Sequence, residues 1–174
     1  MNRSIVMIFA AALAGGCALQ AQTANPLIAE SKRAYTAIKT NLTKAADKMS
    51  DENYNFKASP NIRTFGALIG HIADSQMRMC AQVKGEQKTA DAGSKTAKAD
   101  LVAALKASFD ECDAAWDSIT DANAVEMLGG RAPRSKLSAL IYNTTHDNEE
   151  YGYLAVYMRL KGVVPPSSEP RPPM

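Results

Sequence analysis

The chain of 174 residues carries 20 basic and 18 acidic side chains, which gives a formal net charge of +2. This near balance argues against a dedicated nucleic-acid-binding protein, whose binding face normally carries an excess of basic residues. Apolar residues make up 46% of the chain and aromatic residues only 6%. A packed core is therefore expected, and the composition favours helix over strand.

The first 21 residues have the pattern of a secretory signal peptide. Arg3 supplies a positive charge, and the apolar run 5–14 is too short to span a bilayer as a helix. Cleavage is predicted after Ala21, which removes the segment 1–21. A second interpretation is a lipid anchor on Cys17, which follows three small residues. Both interpretations predict export, either to the periplasm or to the medium, and only the lipid anchor places the protein at a membrane.

Export also changes how the cysteines are interpreted. Without Cys17, the chain retains Cys80 and Cys112. Two cysteines in an oxidising compartment can form one disulfide. The alternative is that both are small, buried residues that fill core space. No CxxC motif occurs, so the sequence does not indicate a redox motif or a cysteine-rich zinc site.

Four amphipathic helices are predicted after the pair Asn25–Pro26, which suits the start of a helix. Apolar residues recur at helical spacings in each segment, and breaks rich in glycine, proline or charge separate the segments. The predicted helices span about 27–48, 65–84, 97–119 and 135–161. These are the parts of an all-α four-helix bundle, predicted as one domain over 22–164. The proline-rich segment 165–174 is predicted to be a flexible tail.

The middle of the fourth predicted helix breaks the amphipathic pattern. The polar run 143–150 occupies more than two turns, so polar side chains must face the core at that height. Burying such groups without partners costs about 1–3 kcal/mol each. A polar pocket, a metal or a bound ligand would explain why the helix carries this run.

Three side chains form a candidate metal site. His146 and Glu150 are four residues apart and project from one face of the fourth helix, and His71 lies in the second helix. Asp74, one turn after His71, could hydrogen-bond its ring. Two imidazoles and one carboxylate suit zinc, nickel, manganese or iron with open coordination positions. The alternative is that both histidines are hydrogen-bonded packing residues.

Three segments occur in combination, FGALIGHIAD (65–74), HDNEEYG (146–152) and YMRLKGVVPPS (157–167). In this combination the chain resembles the DinB-like superfamily, whose YfiT-like members are described as metal-dependent hydrolases. The resemblance implies an up-down-down-up four-helix bundle. It also implies a metal site made by one histidine of the second helix and two of the fourth. His71 and His146 match two of these positions, whereas Glu150 stands where the family usually has histidine.

The resemblance implies chemistry in which a metal activates water or a small thiol, since relatives include hydrolases and thiol transferases. We therefore predict an exported, divalent-metal-binding hydrolase or transferase, with zinc or nickel as the metal and a small molecule as substrate. Side chains that could orient substrate or support the ligands are Asp74, Asp147, Asn148, Glu149 and Tyr153. The alternative is a non-catalytic bundle that binds a small ligand or partner at a degenerate metal site. A homodimer is compatible with the resemblance.

An up-down-down-up bundle makes the second and third helices parallel. Cys80 and Cys112 lie equally far from the starts of these helices, so a parallel arrangement places them at similar heights. The loop 85–96 can extend to about 40 Å, which is enough to return along a helix of about 30 Å. The resemblance therefore implies that the two cysteines lie close together, as a disulfide or as free thiols.

We expect the exported protein to begin near Gln22, because the small residue Ala21 suits cleavage by signal peptidase. Intact-mass measurement of the exported fraction should show a chain that lacks residues 1–21. The lipid-anchored alternative would begin at Cys17 and carry the added mass of the lipid. A full-length chain that retains Met1 in the soluble cytosolic fraction would contradict export.

Overall fold

A computed structural model describes residues 26–130 and 133–170. The predicted signal peptide and the alternative anchor at Cys17 lie outside these residues. Four long helices dominate the structure, namely α1 (Pro26–Lys48), α2 (Phe65–Val83), α3 (Lys98–Asp117) and α4 (Lys136–Leu160). Their bounds lie close to those predicted, and the all-α fold class is confirmed. In the part of the chain that is described, no helix is both long and apolar enough to cross a bilayer.

Local sequence explains where α2 and α4 begin. The Thr64 side chain accepts a hydrogen bond from the Ala67 amide at the start of α2, and Ser135 accepts one from Ser138 at the start of α4. Each hydroxyl satisfies an amide that has no partner inside the helix. The residue after the C-cap of α4, Gly162, has a φ of 71°, the left-handed conformation that ends many helices.

Helices α2 and α3 run parallel. Gln76 in α2 contacts Ser108 in α3, and one turn further along both helices a disulfide joins Cys80 to Cys112. The Cα atoms of the two cysteines are 4.9 Å apart. Because both residue numbers increase together along the interface, the helices point the same way. The two cysteines therefore lie at similar heights, as the resemblance implies.

Helix α4 runs antiparallel to α2. The Tyr157 hydroxyl, late in α4, donates to the Arg63 carbonyl just before α2, while His146 faces His71 further along. Helix α1 is likewise antiparallel to α3, since Lys32 pairs with Asp117 whereas Lys98 reaches the carbonyl of Asp47. Together these pairings give the up-down-down-up bundle.

A long crossover connects the two parallel helices and packs against α2. It contains a 3₁₀ turn, Ala92–Ser94, whose first two amides donate to the Asp74 carboxylate at 2.9 Å each. The crossover passes so close to α2 that a Cβ atom on Gly70 would lie 2.9 Å from the Ala92 carbonyl oxygen. Glycine at position 70 is therefore required for this packing.

Three more short features lie outside the four-helix pattern. The first is a 3₁₀ helix, Asp51–Asn55, between α1 and α2. Residues Met127–Leu128 (β1) and Arg134–Ser135 (β2) form a short antiparallel ladder before α4. The C-terminal segment differs from the predicted flexible tail over the residues described. It forms a 3₁₀ turn, Pro166–Ser168, whose Pro166 is buried. The segment is held because the Ser167 amide donates to the Tyr151 hydroxyl at 2.9 Å.

We expect Gly70→Ala to lower the free energy of unfolding by about 1–3 kcal/mol, because the new methyl group would push the crossover away from α2. Gly152→Ala is the matched control, since a Cβ atom there meets nothing within 4 Å. Alanine at this second helical position should be neutral or stabilise the protein by about 0.5–1 kcal/mol. Urea unfolding followed by circular dichroism measures both. Equal stability of the two variants would contradict the close passage at Gly70.

Candidate metal centre

Helices α2 and α4 bring His71, His146 and Glu150 together. The Nε2 atoms of the two histidines are 3.2 Å apart. Glu150 Oε1 lies 3.5 Å from Nε2 of His71 and 3.7 Å from Nε2 of His146. His146 and Glu150 are one turn apart on the same face of α4, and the antiparallel α2 presents His71 opposite both of them.

These distances fit one divalent cation. Ligand atoms about 2.0–2.2 Å from zinc, at tetrahedral angles, lie about 3.3–3.6 Å from one another. Two histidines and one glutamate also form the ligand set of catalytic zinc sites that keep an open position. The second carboxylate oxygen of Glu150 is buried and has no hydrogen-bond partner among the described residues. A cation beside this carboxylate would compensate its burial.

The two imidazoles differ in how readily they hold a proton. Burial, assisted by the positive charge of Arg63, lowers the pKa of His71. The Asp147 carboxylate beside His146 raises the pKa of that ring. His71 is therefore neutral over a wider pH range and more readily available as a ligand. Below the raised pKa of His146, a metal must first displace a proton from that ring.

Asp147 approaches Nδ1 of His146, whereas Glu150 approaches Nε2 of the same ring. The Asp147 side chain is fully buried, and burial raises its pKa to about 6. Oδ1 of Asp147 lies 3.9 Å from Nδ1 of His146, and among the described residues neither atom has a hydrogen-bond partner. A small movement of either side chain would make Nδ1 a donor to this carboxylate. That hydrogen bond would keep Nε2 unprotonated and directed at His71.

The polar run of α4 continues as a buried polar layer across the bundle. Asn143 donates to the second oxygen of Asp147 at 3.2 Å and approaches the Cys112 sulfur at 3.9 Å. Next to them, buried Gln76 donates to Ser108 at 3.4 Å. The inward half of the run therefore contacts other polar groups in the core, while the outward half, including Glu149, is exposed.

The other candidate site residues, Asp74, Asn148 and Tyr153, do not contact the three candidate ligands through a hydrogen bond among the described residues. Asp74 makes no hydrogen bond to His71 among the described residues, because both of its carboxylate oxygens accept bonds from the crossover backbone. The Asn148 side chain donates to the Thr144 carbonyl of its own helix at 2.7 Å. The Tyr153 hydroxyl donates to Glu149 at 3.3 Å. Of these, Tyr153 lines the pocket next to the metal centre.

This pocket has a volume of about 650 Å³ and reaches Glu150. It lies between α4 and the segment that precedes α2. Its other lining residues are Lys57, Pro60, Asn61, Ile62, Arg63, Leu68, Tyr153 and Tyr157. Most of them come from the link between α1 and α2, which the sequence shows only as a break between two helical segments. No local signal marks them, because only the packing of that link beside α4 makes them a pocket wall.

Comparisons with known proteins agree with this fold. The DinB superfamily model matches residues 34–154. A DinB-like protein from Bacillus cereus superposes with a TM-score of 0.68 at 20% identity, over 80% of this chain and 95% of that chain. A DinB-like protein from Bacillus subtilis gives 0.63 at 17% identity, over 86% and 97% of the two chains.

A conserved protein from Enterococcus faecalis is similar in fold, with a TM-score of 0.63 at 14% identity over 76% of this chain and 95% of that chain. No curated protein sequence matches. At such identities the structural likeness concerns the fold. The match to the superfamily model spans most of the chain, including His71 and His146. The chain therefore belongs to the DinB superfamily.

Proposed function

We propose that this protein is an exported enzyme, a hydrolase or transferase that uses one divalent cation, zinc or nickel, held by His71, His146 and Glu150. The observation that carries the proposal is the set of three ligand atoms separated by 3.2 to 3.7 Å. Glutamate at position 150 is compatible with metal binding, because a carboxylate is a competent third ligand beside two imidazoles.

The cation would lower the pKa of a bound water or thiol and so supply the nucleophile. The chain's own residues contribute orientation and shielding. Once Nδ1 of His146 donates to Asp147, that hydrogen bond would hold His146 in the tautomer that leaves Nε2 free. The buried side chains of Asp147 and Glu150 show that solvent is excluded from the inward side of the centre. The pocket beside Glu150 leaves the other side open to a small substrate.

Export is supported by the disulfide between Cys80 and Cys112. Such bonds persist in oxidising compartments and are rare in the cytosol. The proposal retains cleavage after Ala21 as the main route and lipidation of Cys17 as the alternative.

A non-catalytic bundle is the second candidate. The 3.2 Å approach of the two imidazoles is also the distance of a direct hydrogen bond between Nε2 atoms, with Glu150 alongside. In that case the cluster would share a proton, bind no metal, and serve only to bind a ligand or partner through the adjacent pocket.

Metal titration separates the two candidates. Protein made without an affinity tag and treated with a chelator should bind one equivalent of zinc or nickel in isothermal titration calorimetry. His146→Ala and Glu150→Gln should weaken binding by more than about 100-fold, since each removes a ligand. Glu150→His should retain binding, because it supplies the third imidazole usual in the family.

Asp121→Asn is the control, since it removes an exposed carboxylate from the loop before α4 and should leave affinity unchanged. Circular dichroism of every variant checks that the bundle is intact. If the untreated protein contains no metal and the His146→Ala variant titrates like the wild type, the proton-sharing cluster is correct instead.

Asp147→Asn should have opposite effects on stability and on metal binding. The carboxyl titrates near pH 4 in an unfolded chain and near 6 in the fold, so native stability falls as the pH rises between these values. The metal-free variant should therefore match the wild type at pH 4 and exceed its free energy of unfolding at pH 7.5 by on the order of 1–3 kcal/mol. Its zinc affinity should drop about 10–100-fold.

Asp121→Asn, in an exposed loop, should change neither quantity. Urea unfolding in a chelator at both pH values, together with zinc titration, makes the comparison. Loss of stability at pH 7.5 would contradict the view that Asp147 is retained for the metal centre rather than for the fold.

A further inference from the structure

The pocket beside the candidate metal centre has two chemically different parts. Apolar surface from Ile62, Leu68 and Tyr157 lines one part. The phenol of Tyr157 is occupied, because it donates to the Arg63 carbonyl at 2.7 Å. The Glu150 carboxylate closes the pocket at the metal centre. A molecule bound in this pocket would pack an apolar part against these side chains and place one end beside the metal ion.

Two basic side chains line the same pocket without an anionic partner. Lys57 and Arg63 line it, both are exposed, and among the described residues neither side chain forms an ion pair or a hydrogen bond. Most other exposed cations of the bundle are paired; Lys88 and Lys106, for example, each contact a carboxylate. The only carboxylate that lines the pocket is Glu150, which contacts the two histidines and neither Lys57 nor Arg63.

Arg63 lines a second pocket as well. This pocket has a volume of about 380 Å³ and is also lined by His71. The positive charge of Arg63 contributes to the lowered pKa of His71, which agrees with this proximity. The backbone of Arg63 is held at both sides, by the Tyr157 hydrogen bond and by Thr64, the N-cap of α2. The backbone is fixed while the guanidinium is exposed, so the side chain can meet an oxyanion with two parallel hydrogen bonds.

We propose that the pocket binds a small amphiphilic oxyanion, with its carboxylate or phosphate on Arg63 and Lys57 and its apolar body against Leu68 and Tyr157. This names the substrate class of the metal centre and in that respect rests on the proposed function. The binding itself uses residues other than the metal ligands, so it can be measured on metal-free protein. A cationic substrate is disfavoured because two unpaired positive charges line the pocket.

The test compares three probes of equal chain length, hexanoate, hexyl phosphate and 1-hexanol. Each is titrated into the full metal-free protein while amide shifts of residues around Leu68 are followed by NMR. Both anions should give saturable shifts, with dissociation constants at least about fivefold lower than that of hexanol. A tighter fit for hexanoate points to carboxylates, and one for hexyl phosphate points to phosphate monoesters.

Arg63→Gln should weaken anion binding about fivefold to tenfold and leave hexanol binding unchanged. Arg33→Gln is the matched control, because it removes the same charge from an exposed position on α1. Equal binding of hexanol and the anions, or equal anion binding by the two variants, would overturn the proposal. His146→Ala should retain anion binding, so a failed metal titration with intact anion binding removes only the enzymatic proposal.

Discussion

Asp147 is a carboxylate with no exposed surface, next in sequence to a candidate metal ligand, and its burial constrains the whole middle of the bundle. An apolar residue of similar size would make α4 easier to pack, since an ionised buried group without a full set of partners is unfavourable. Asn143, one turn earlier in α4, donates one hydrogen bond to Oδ2 of Asp147 at 3.2 Å, and Oδ1 of Asp147 faces His146. Residues that oppose folding and persist in a core are typical of functional sites.

The position of His71 depends on a different part of the molecule. Helix α2 packs against α3, α4 and the crossover, so any shift of α2 moves one ligand relative to the two on α4. Gly70, the residue before His71, permits the close approach of the crossover, and Asp74, one turn after it, binds the crossover backbone. The disulfide at Cys80 fixes the register of α2 on α3. Three contacts along a single helix thus hold one side of the centre.

Much of this architecture could be predicted because it depends on short-range patterns in the sequence. Helical periodicity located α1 to α4, and the spacing of His146 and Glu150 placed two ligands on one face. The polar run of α4 indicates a binding site because it places polar side chains on the face of the helix that an ordinary amphipathic helix keeps apolar. The parallel order of α2 and α3 came only from the family resemblance, since periodicity carries no information on direction.

Contacts between distant segments could not be predicted in the same way. Spacing along α2 would allow Asp74 to hydrogen-bond the His71 ring, but two backbone amides of the crossover donate to its carboxylate instead. Arg63 lies in the break between α1 and α2, and it lines the pocket only because that link packs beside α4. In both cases the decisive partner is far away in the sequence and has no fixed spacing from the residue.

The C-terminal segment has a consequence for local unfolding. Because the Tyr151 hydroxyl binds Ser167, and Lys48 of α1 binds Glu169, the last turns of α4 cannot fray without releasing the segment that follows them. Helix ends usually exchange their amide protons readily through such fraying. Here the segment that follows α4 packs back onto the C-terminal half of the helix, which begins at the metal centre. The amides of that half should therefore exchange as slowly as those of the bundle interior.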